Sequence, residues 1–318
     1  MTIPHGRLGG TLAVAVAACL FGTLGPVSRG AYDAGMTPLT FALWRASLGT
    51  LGLLAIIGAL TVRGRTRFHW KALDRRTIAA LGAAVAAGIV LNLAIFTAFG
   101  QMSIALALLG FYTYPALVAI GAVATGEERL TRGRVIALAL ALLGMAVVVL
   151  GGSGVGSGPG LTLAGLGLVL LAAAMQAVYV LLGRRGFPAV PTEEATLVVL
   201  VGTAAGYLAL VLATGSIEGA LVPFRSPAAL PLLLWAGLAG ASIPTLLFLL
   251  GIRAIGPTRA AIIALIEPLA GTVLAAILLA ELLGPVQVAG GALVLAAAAL
   301  LQRGGEAAEP HEATSGTA

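Results

Sequence analysis

The chain has 318 residues, of which 59% are hydrophobic and only 9% are charged. A soluble globular domain carries about 25% charged residues, so this composition excludes a protein that is soluble throughout. The formal net charge is +6, and in so apolar a chain we interpret the basic residues as signals of membrane orientation rather than of nucleic-acid binding.

Apolar segments of about 20 residues, the length that crosses a bilayer core, follow one another along the chain. In lipid the backbone polar groups must be satisfied within each segment, so each one is predicted to be a helix. The sequence therefore predicts an all-α integral membrane protein with ten transmembrane helices. The predicted spans are 10–28, 38–61, 77–99, 103–124, 134–151, 161–182, 195–214, 229–250, 258–280 and 285–302.

The positive charges fall mainly on one side of these ten spans. If the N-terminus is cytoplasmic, 15 of the 18 Lys and Arg residues lie in cytoplasmic segments, whereas Arg29 and Arg225 lie outside and Arg45 lies within the second helix. Cytoplasmic loops are enriched in Lys and Arg. Both termini are therefore predicted to be cytoplasmic.

Two stretches of the chain repeat the same spacing. Pro115 and Pro268 are 153 residues apart, and so are Glu128 and Glu281. We interpret this as two five-helix halves, residues 1–157 and 158–303, followed by a disordered cytoplasmic tail at 304–318. Because five is odd, the second half is inverted relative to the first, and in transporters such repeats enclose a central site.

Glu267 is the strongest candidate for a functional residue. It lies about 13 Å into the predicted ninth helix at 1.5 Å per residue, close to the bilayer midplane. An ionisable residue at that depth must face a cavity or a partner, so Glu267 is a candidate for proton exchange or for binding a substrate ammonium group. A purely structural carboxyl group, either permanently protonated or paired with an arginine, is the alternative.

The two repeated prolines are candidates for kinks that line one site and let each helix flex. A proline removes the hydrogen bond to the carbonyl four residues earlier, which is Ala264 for Pro268 and Phe111 for Pro115. Static packing kinks are the alternative interpretation.

Other candidates for substrate binding are aromatic or polar residues inside the predicted spans. Tyr114 occupies the position equivalent to Glu267 in the other half. Core packing remains the alternative for all of them, because aromatic and amide side chains also hold membrane helices together. The candidates are Phe111, Tyr112 and Tyr114 beside the first kink, Asn92 in a stripe with Phe96 and Phe99, and the pair Gln176 and Tyr179.

The remaining intramembrane and helix-end charges are interpreted as structural or gating groups. Arg45 could extend towards the surface or pair with a carboxylate, and Glu128 and Glu281 are expected to bind neighbouring helix ends. No metal site or cofactor is predicted, since His5, His69 and His311 lie in tails or a loop and the chain has no Walker-type phosphate-binding motif.

The chain resembles the EamA-type transporters of the drug/metabolite transporter superfamily. The segments that carry the resemblance are "PLTFALWRASLGTL", "YP…TGEERLTRGRVIALALALLGMAVVVL", "LLFLLGIRAIGPTRAAI" and "L…P…LLAELL". The YddG-like amino-acid exporters are the closest in kind, although "ACLFGTLGPVSRG" has Phe-Gly where the family usually shows Trp-Gly or Trp-Ser. The resemblance implies ten helices, cytoplasmic termini, a bacterial inner (plasma) membrane location and export of small metabolites.

The predicted function is therefore the export of small metabolites, with amino acids favoured, by alternating access through a central cavity. The expected partners are a small-molecule substrate, the lipid bilayer and protons, without nucleic acid. Efflux of drugs or organic cations by the same fold is one alternative. An integral membrane enzyme with a midplane carboxylate and a non-transporting scaffold or sensor are the others.

Overall fold

The structure is a computed structural model, and it describes residues 7–62, 74–126, 128, 131–151, 162–185, 187–188, 190–270 and 284–306. Every regular element within these ranges is a helix. The first half of the chain contains α1 (Arg7–Phe21), α2 (Leu24–Asp33), α3 (Pro38–Val62), α4 (Arg75–Gln101), α5 (Ile104–Phe111), α6 (Tyr114–Ala124) and α7 (Arg132–Leu150).

The second half contains helices of similar length and a short π-helical segment, which lies inside one long span. Residues 267–270 are also helical. The elements are α8 (Leu163–Arg185), α9 (Thr192–Thr214), α10 (Ile217–Ala220), α11 (Val222–Arg225), α12 (Ala229–Gly237), the π segment (Leu238–Ser242), α13 (Ile243–Ile255), α14 (Pro257–Ala264) and α15 (Pro285–Glu306).

Eight helical spans among the described residues are long and apolar enough to cross a membrane, and they coincide with the first eight predicted spans. The predicted ninth span is described only up to residue 270. The predicted tenth corresponds to α15, whose apolar part, Val288–Leu300, is shorter. The helix α15 extends to Glu306, three residues into the predicted tail. The predicted boundary at 157–158, the rest of the tail and Glu281 lie outside the described residues.

Two spans are interrupted at equivalent positions of the two halves. The first break is Tyr112–Thr113, between α5 and α6, and the second is Leu265–Ile266, after α14. At both breaks a backbone N–H donates to the carbonyl three residues earlier instead of four. Thr113 donates to Gly110 at 3.3 Å, and Ile266 donates to Ile263 at 3.0 Å. The prolines three residues after Tyr112 and Leu265 account for these breaks, because neither can donate the next helical hydrogen bond.

Packing between the halves is reciprocal. The third span of the first half, α4, lies against α8, the first span of the second half; in the same way α13, at the end of the third span of the second half, lies against α1. The second spans, α3 and α9, pack on each other, and so do the last spans, α7 and α15.

The helices α7 and α15 approach so closely that their backbones touch. A Cβ atom placed on Gly144 would lie 2.7 Å from the carbonyl oxygen of Gly290, and one placed on Gly290 would lie 2.7 Å from the carbonyl oxygen of Gly144. Small residues at such crossings let membrane helices gain close van der Waals contact. This contact sits away from the cavity described below.

Candidate functional site

A cavity of about 130 Å³ lies between the two halves of the described chain. Residues of α1 to α6 line it from the first half, and residues of α8, α9, α13 and α14 line it from the second. Among the described residues, α7 and α15 contribute nothing to its wall. The cavity is therefore enclosed by the spans that the reciprocal packing brings together.

Glu267 faces this cavity. It follows the break at Leu265–Ile266 and is only partly buried. The break gives the carboxylate its position, because a helix that continued regularly through residue 266 would place residue 267 elsewhere around the axis. No side chain among the described residues forms an ion pair with Glu267, so the Arg-paired alternative has no described partner.

The aromatic residues beside the first break do not all reach the cavity. Phe111 and Tyr114 line it, with ring centroids 5.2 Å apart. The Tyr114 hydroxyl donates a hydrogen bond of 3.4 Å to the carbonyl of Ala261. Tyr112 is fully buried, and among the described lining residues it does not occur.

Tyr112 instead lies behind the wall, next to Glu267. Its hydroxyl is close enough to the Glu267 carboxylate for an electrostatic interaction, yet it makes no hydrogen bond of regular geometry to any described residue. Tyr112 therefore supports the wall from behind and does not form part of its surface.

Arg45 lines the cavity from α3 and is only 7% exposed. Its Nη1 donates to Asn92 Oδ1 at 3.0 Å, and its Nη2 donates to the carbonyl oxygen of Gly240 in the π segment. The guanidinium carbon lies 5.5 Å from the centre of the Phe96 ring. Among the described residues, Arg45 therefore neither extends to the surface nor pairs with a carboxylate, which were the two expectations from the sequence.

Asn92 and Tyr207 form the rest of this polar corner. The Asn92 amide donates to the carbonyl of Gly88 at 2.8 Å, and the Tyr207 hydroxyl donates to the carbonyls of Gly88 and Ile89 at 3.2 and 3.1 Å. Both side chains line the cavity. The backbone of α4 therefore fixes the orientation of both polar groups.

Gln176 and Tyr179 line the cavity from α8. The Tyr179 hydroxyl is buried and has no hydrogen-bond partner among the described residues. A buried hydroxyl without a hydrogen-bond partner is costly, so Tyr179 remains a candidate for contact with a bound molecule.

Several lining residues were not candidates in the sequence analysis. Thr203 and Tyr207 are spaced i, i+4 on α9, which is a weak polar signal within an apolar helix. Phe21 and Phe248 carry no such signal, because apolar side chains are equally frequent on lipid-facing helix surfaces. These additional lining residues are Phe21, Thr203, Tyr207, Thr245 and Phe248.

Glu128 lies away from the cavity, after the end of α6. Its carboxylate forms an ion pair with Arg134 at 3.1 Å and lies against Gly256, which precedes α14 and has φ +88°. Because Gly256 belongs to the second half, Glu128 bridges the two halves at one end of the bundle.

Among the described residues, no cluster of three His, Cys, Asp or Glu side chains could hold a metal ion.

The family model of the EamA-like transporter family matches residues 8–150 and again residues 163–303. The chain belongs to this family. It is accordingly a multi-pass membrane transporter of the drug/metabolite transporter superfamily, with two EamA repeats, and its partners are small-molecule substrates and a lipid bilayer.

A solved structure titled "Crystal structure of protein" has a TM-score of 0.73 to this chain. The match covers 95% of this chain and 98% of that one, with 18% sequence identity. At this identity the likeness concerns the fold alone. No protein of curated function matches the chain.

Proposed function

We propose that this protein is a secondary transporter, active or facilitative, that exports small metabolites by alternating access. Amino acids are the favoured class of substrate, and YddG-like exporters are the favoured subtype. The observation that carries the proposal is a carboxylate, Glu267, placed by a helix break on a cavity that both EamA repeats line.

The proposed architecture is ten transmembrane helices in two inverted five-helix repeats, residues 1–157 and 158–303, with a cytoplasmic tail at 304–318. The equivalent breaks and the reciprocal packing support it, since an inverted repeat relates its halves by a pseudo-two-fold axis. The unequal distribution of Lys and Arg supports cytoplasmic termini in a bacterial inner membrane.

In the proposed mechanism the two halves rock about the cavity, which opens to one side of the membrane at a time. Glu267 binds the substrate ammonium group or exchanges a proton. The breaks before Pro115 and Pro268 let their spans bend, and the contact between Glu128 and Gly256 opens and closes as the halves move. We propose the same gating role for Glu281 in the inverted half.

Substrate flux into proteoliposomes tests the role of Glu267. In Glu267→Gln, which keeps the shape but not the charge, we expect flux to fall by at least about tenfold, about 1.4 kcal/mol of barrier, and its dependence on pH to disappear. Glu218→Gln, at an exposed position on α10, is the matched control. Normal flux with unchanged pH dependence in Glu267→Gln would contradict both proposed roles.

Efflux of drugs or organic cations is the second candidate, because aromatic faces and a carboxylate also attract cations. A thermal-shift screen of amino acids, nucleosides and organic cations separates the two, since a ligand that binds the folded state raises its stability. A membrane enzyme has less support, because among the described residues lining the cavity Glu267 is the single carboxylate and none is His.

A further inference from the structure

The Arg45 guanidinium has hydrogen-bonding capacity that the described protein does not use. A guanidinium carries five N–H donors, and Arg45 makes two hydrogen bonds, to Asn92 and to Gly240. Its Nε has no partner, and no carboxylate of the described residues lies within ion-pair distance. Arg45 is only 7% exposed and lines the cavity. It therefore keeps buried N–H groups that have no acceptor among the described residues.

Both acceptors of Arg45 are neutral amide oxygens, which orient the guanidinium without neutralising it. A buried charge without an opposite charge is strongly disfavoured, and inside a membrane such residues mark substrate pathways. An anionic group that enters the cavity would supply the missing charge. Arginine is especially suited to a carboxylate, because its planar N–H groups match the two oxygens.

A carboxyl group, Glu267, also lines the cavity. Glu267 reaches the wall from the span that contains α14, whereas Arg45 reaches it from α3, and the two do not form an ion pair. The rest of the wall is mostly apolar, with Leu91, Ile95 and Phe248 among its residues. The cavity thus presents one guanidinium group, one carboxyl group and an apolar surface.

We propose that Arg45 binds the carboxylate of a zwitterionic α-amino acid with an apolar side chain, while Glu267 receives its ammonium group. This proposal rests on the proposed transport function and narrows its substrate class. It assigns to Arg45 a direct substrate contact, in addition to the contacts that hold α3 to α4 and to the π segment.

Binding to the purified protein, measured by calorimetry, tests this assignment separately from flux. The probes are leucine, 3-methylbutylamine, which lacks the carboxylate, and 4-methylpentanoate, which lacks the amine. One charge-assisted hydrogen bond corresponds to a factor of about ten or more in affinity. We expect the wild-type protein to bind leucine at least about tenfold more tightly than either analogue.

Substitution of Arg45 then distinguishes substrate contact from a structural role. We expect Arg45→Gln to bind leucine no more tightly than 3-methylbutylamine, and Arg45→Lys to keep part of the preference. Arg225→Gln is the matched control, because Arg225 is exposed on α11 and does not line the cavity, so this variant should keep the preference. A purely structural Arg45 would weaken leucine and the amine equally, which would overturn the proposal.

Other outcomes are equally decisive. If Arg45→Gln does not fold, the comparison of Arg45→Lys with wild type decides: a reduced preference for leucine over the amine supports the assignment, and an unchanged preference overturns it. Equal affinities of the wild-type protein for leucine and the amine also overturn it. Equal affinities for leucine and 4-methylpentanoate would remove Glu267 from the site. Flux of amines without preference for amino acids would overturn this inference and leave transport intact, whereas selective binding without any flux would overturn the proposed transport alone.

Discussion

Polar side chains on the cavity wall differ in how far the protein already satisfies them. The Tyr207 hydroxyl bonds to two carbonyls of α4, but the Tyr179 hydroxyl has no partner among the described residues. The first group joins α9 to α4, and we propose that the second forms a hydrogen bond with a ligand. Arg45 combines both situations, because two of its N–H groups bond to the protein and the others have no acceptor among the described residues.

This difference predicts opposite effects of removing the two hydroxyl groups. Tyr207→Phe should lower the free energy of unfolding by about 1 kcal/mol, since two buried carbonyls lose a donor. Tyr179→Phe should leave stability unchanged and weaken substrate binding instead. Thermal unfolding in detergent, with ligand binding measured in parallel, checks both; a stability loss in Tyr179→Phe equal to that of Tyr207→Phe would contradict the distinction.

The sequence predicted candidate residues from their type, but it did not predict which side of a helix each side chain faces. Glu267 stood out because a carboxylate is costly in an apolar span. Tyr207 did not, because two polar residues four positions apart on α9 do not by periodicity alone distinguish the cavity from a neighbouring helix. Tyr112 was a candidate for direct contact, yet the break at Tyr112–Thr113 turns it behind the wall.

The paired breaks are the features of the helices on which the proposed motion depends. The helix α5 ends at Phe111 and α14 ends at Ala264, the residues whose carbonyls Pro115 and Pro268 leave without a helical partner. Alanine at either position would restore that N–H and allow a continuous helix.

We therefore expect Pro115→Ala and Pro268→Ala to slow transport by about tenfold, or about 1.4 kcal/mol of barrier, while the yield of folded protein stays near wild type. Pro285→Ala is the control, because Pro285 begins α15 and lies outside the described cavity wall. Flux together with size-exclusion profiles gives the result. Loss of folded protein at normal specific flux would favour static packing kinks.

The crossing of α7 and α15 gives a second prediction about the helices. Gly144→Ala would place a Cβ 2.7 Å from a backbone oxygen, so the helices must separate, and we expect a loss of about 1–3 kcal/mol. Gly82→Ala is the control, because nothing lies within 4 Å of its Cβ position and alanine favours the helix. Thermal unfolding measures both, and an unchanged melting temperature in Gly144→Ala would contradict the close packing.

The sequence predicted the existence of most spans and pointed to Pro115 and Pro268 as candidate kinks, but it did not predict the π segment. Eight predicted spans coincide with described ones because long apolar runs have few other structures in lipid. The π segment, "LAGAS", is followed by Pro244, which cannot donate a helical hydrogen bond to the carbonyl of Gly240 four residues earlier. It brings the Gly240 carbonyl to Arg45, and that contact depends on tertiary packing between residues 195 positions apart.

Across the bundle as a whole, we propose that two inverted halves enclose one cavity. The family match shows two repeats, and the equivalent breaks relate them at an interval of 153 residues. The proposed five spans in each half would place equivalent loops on opposite sides of the membrane. Alternating access depends on this arrangement, because each half then serves as the gate on its own side.

Site-specific labelling of single cysteines tests this claim most directly. Cys19 is the one cysteine of the chain, so Thr125→Cys and Pro285→Cys can each be made in a Cys19→Ser background, at exposed positions of the two equivalent connections. With a membrane-impermeant maleimide, we expect Thr125→Cys to react only from the cytoplasmic side and Pro285→Cys only from the opposite side. Reaction of both positions from the same side would contradict the inverted arrangement.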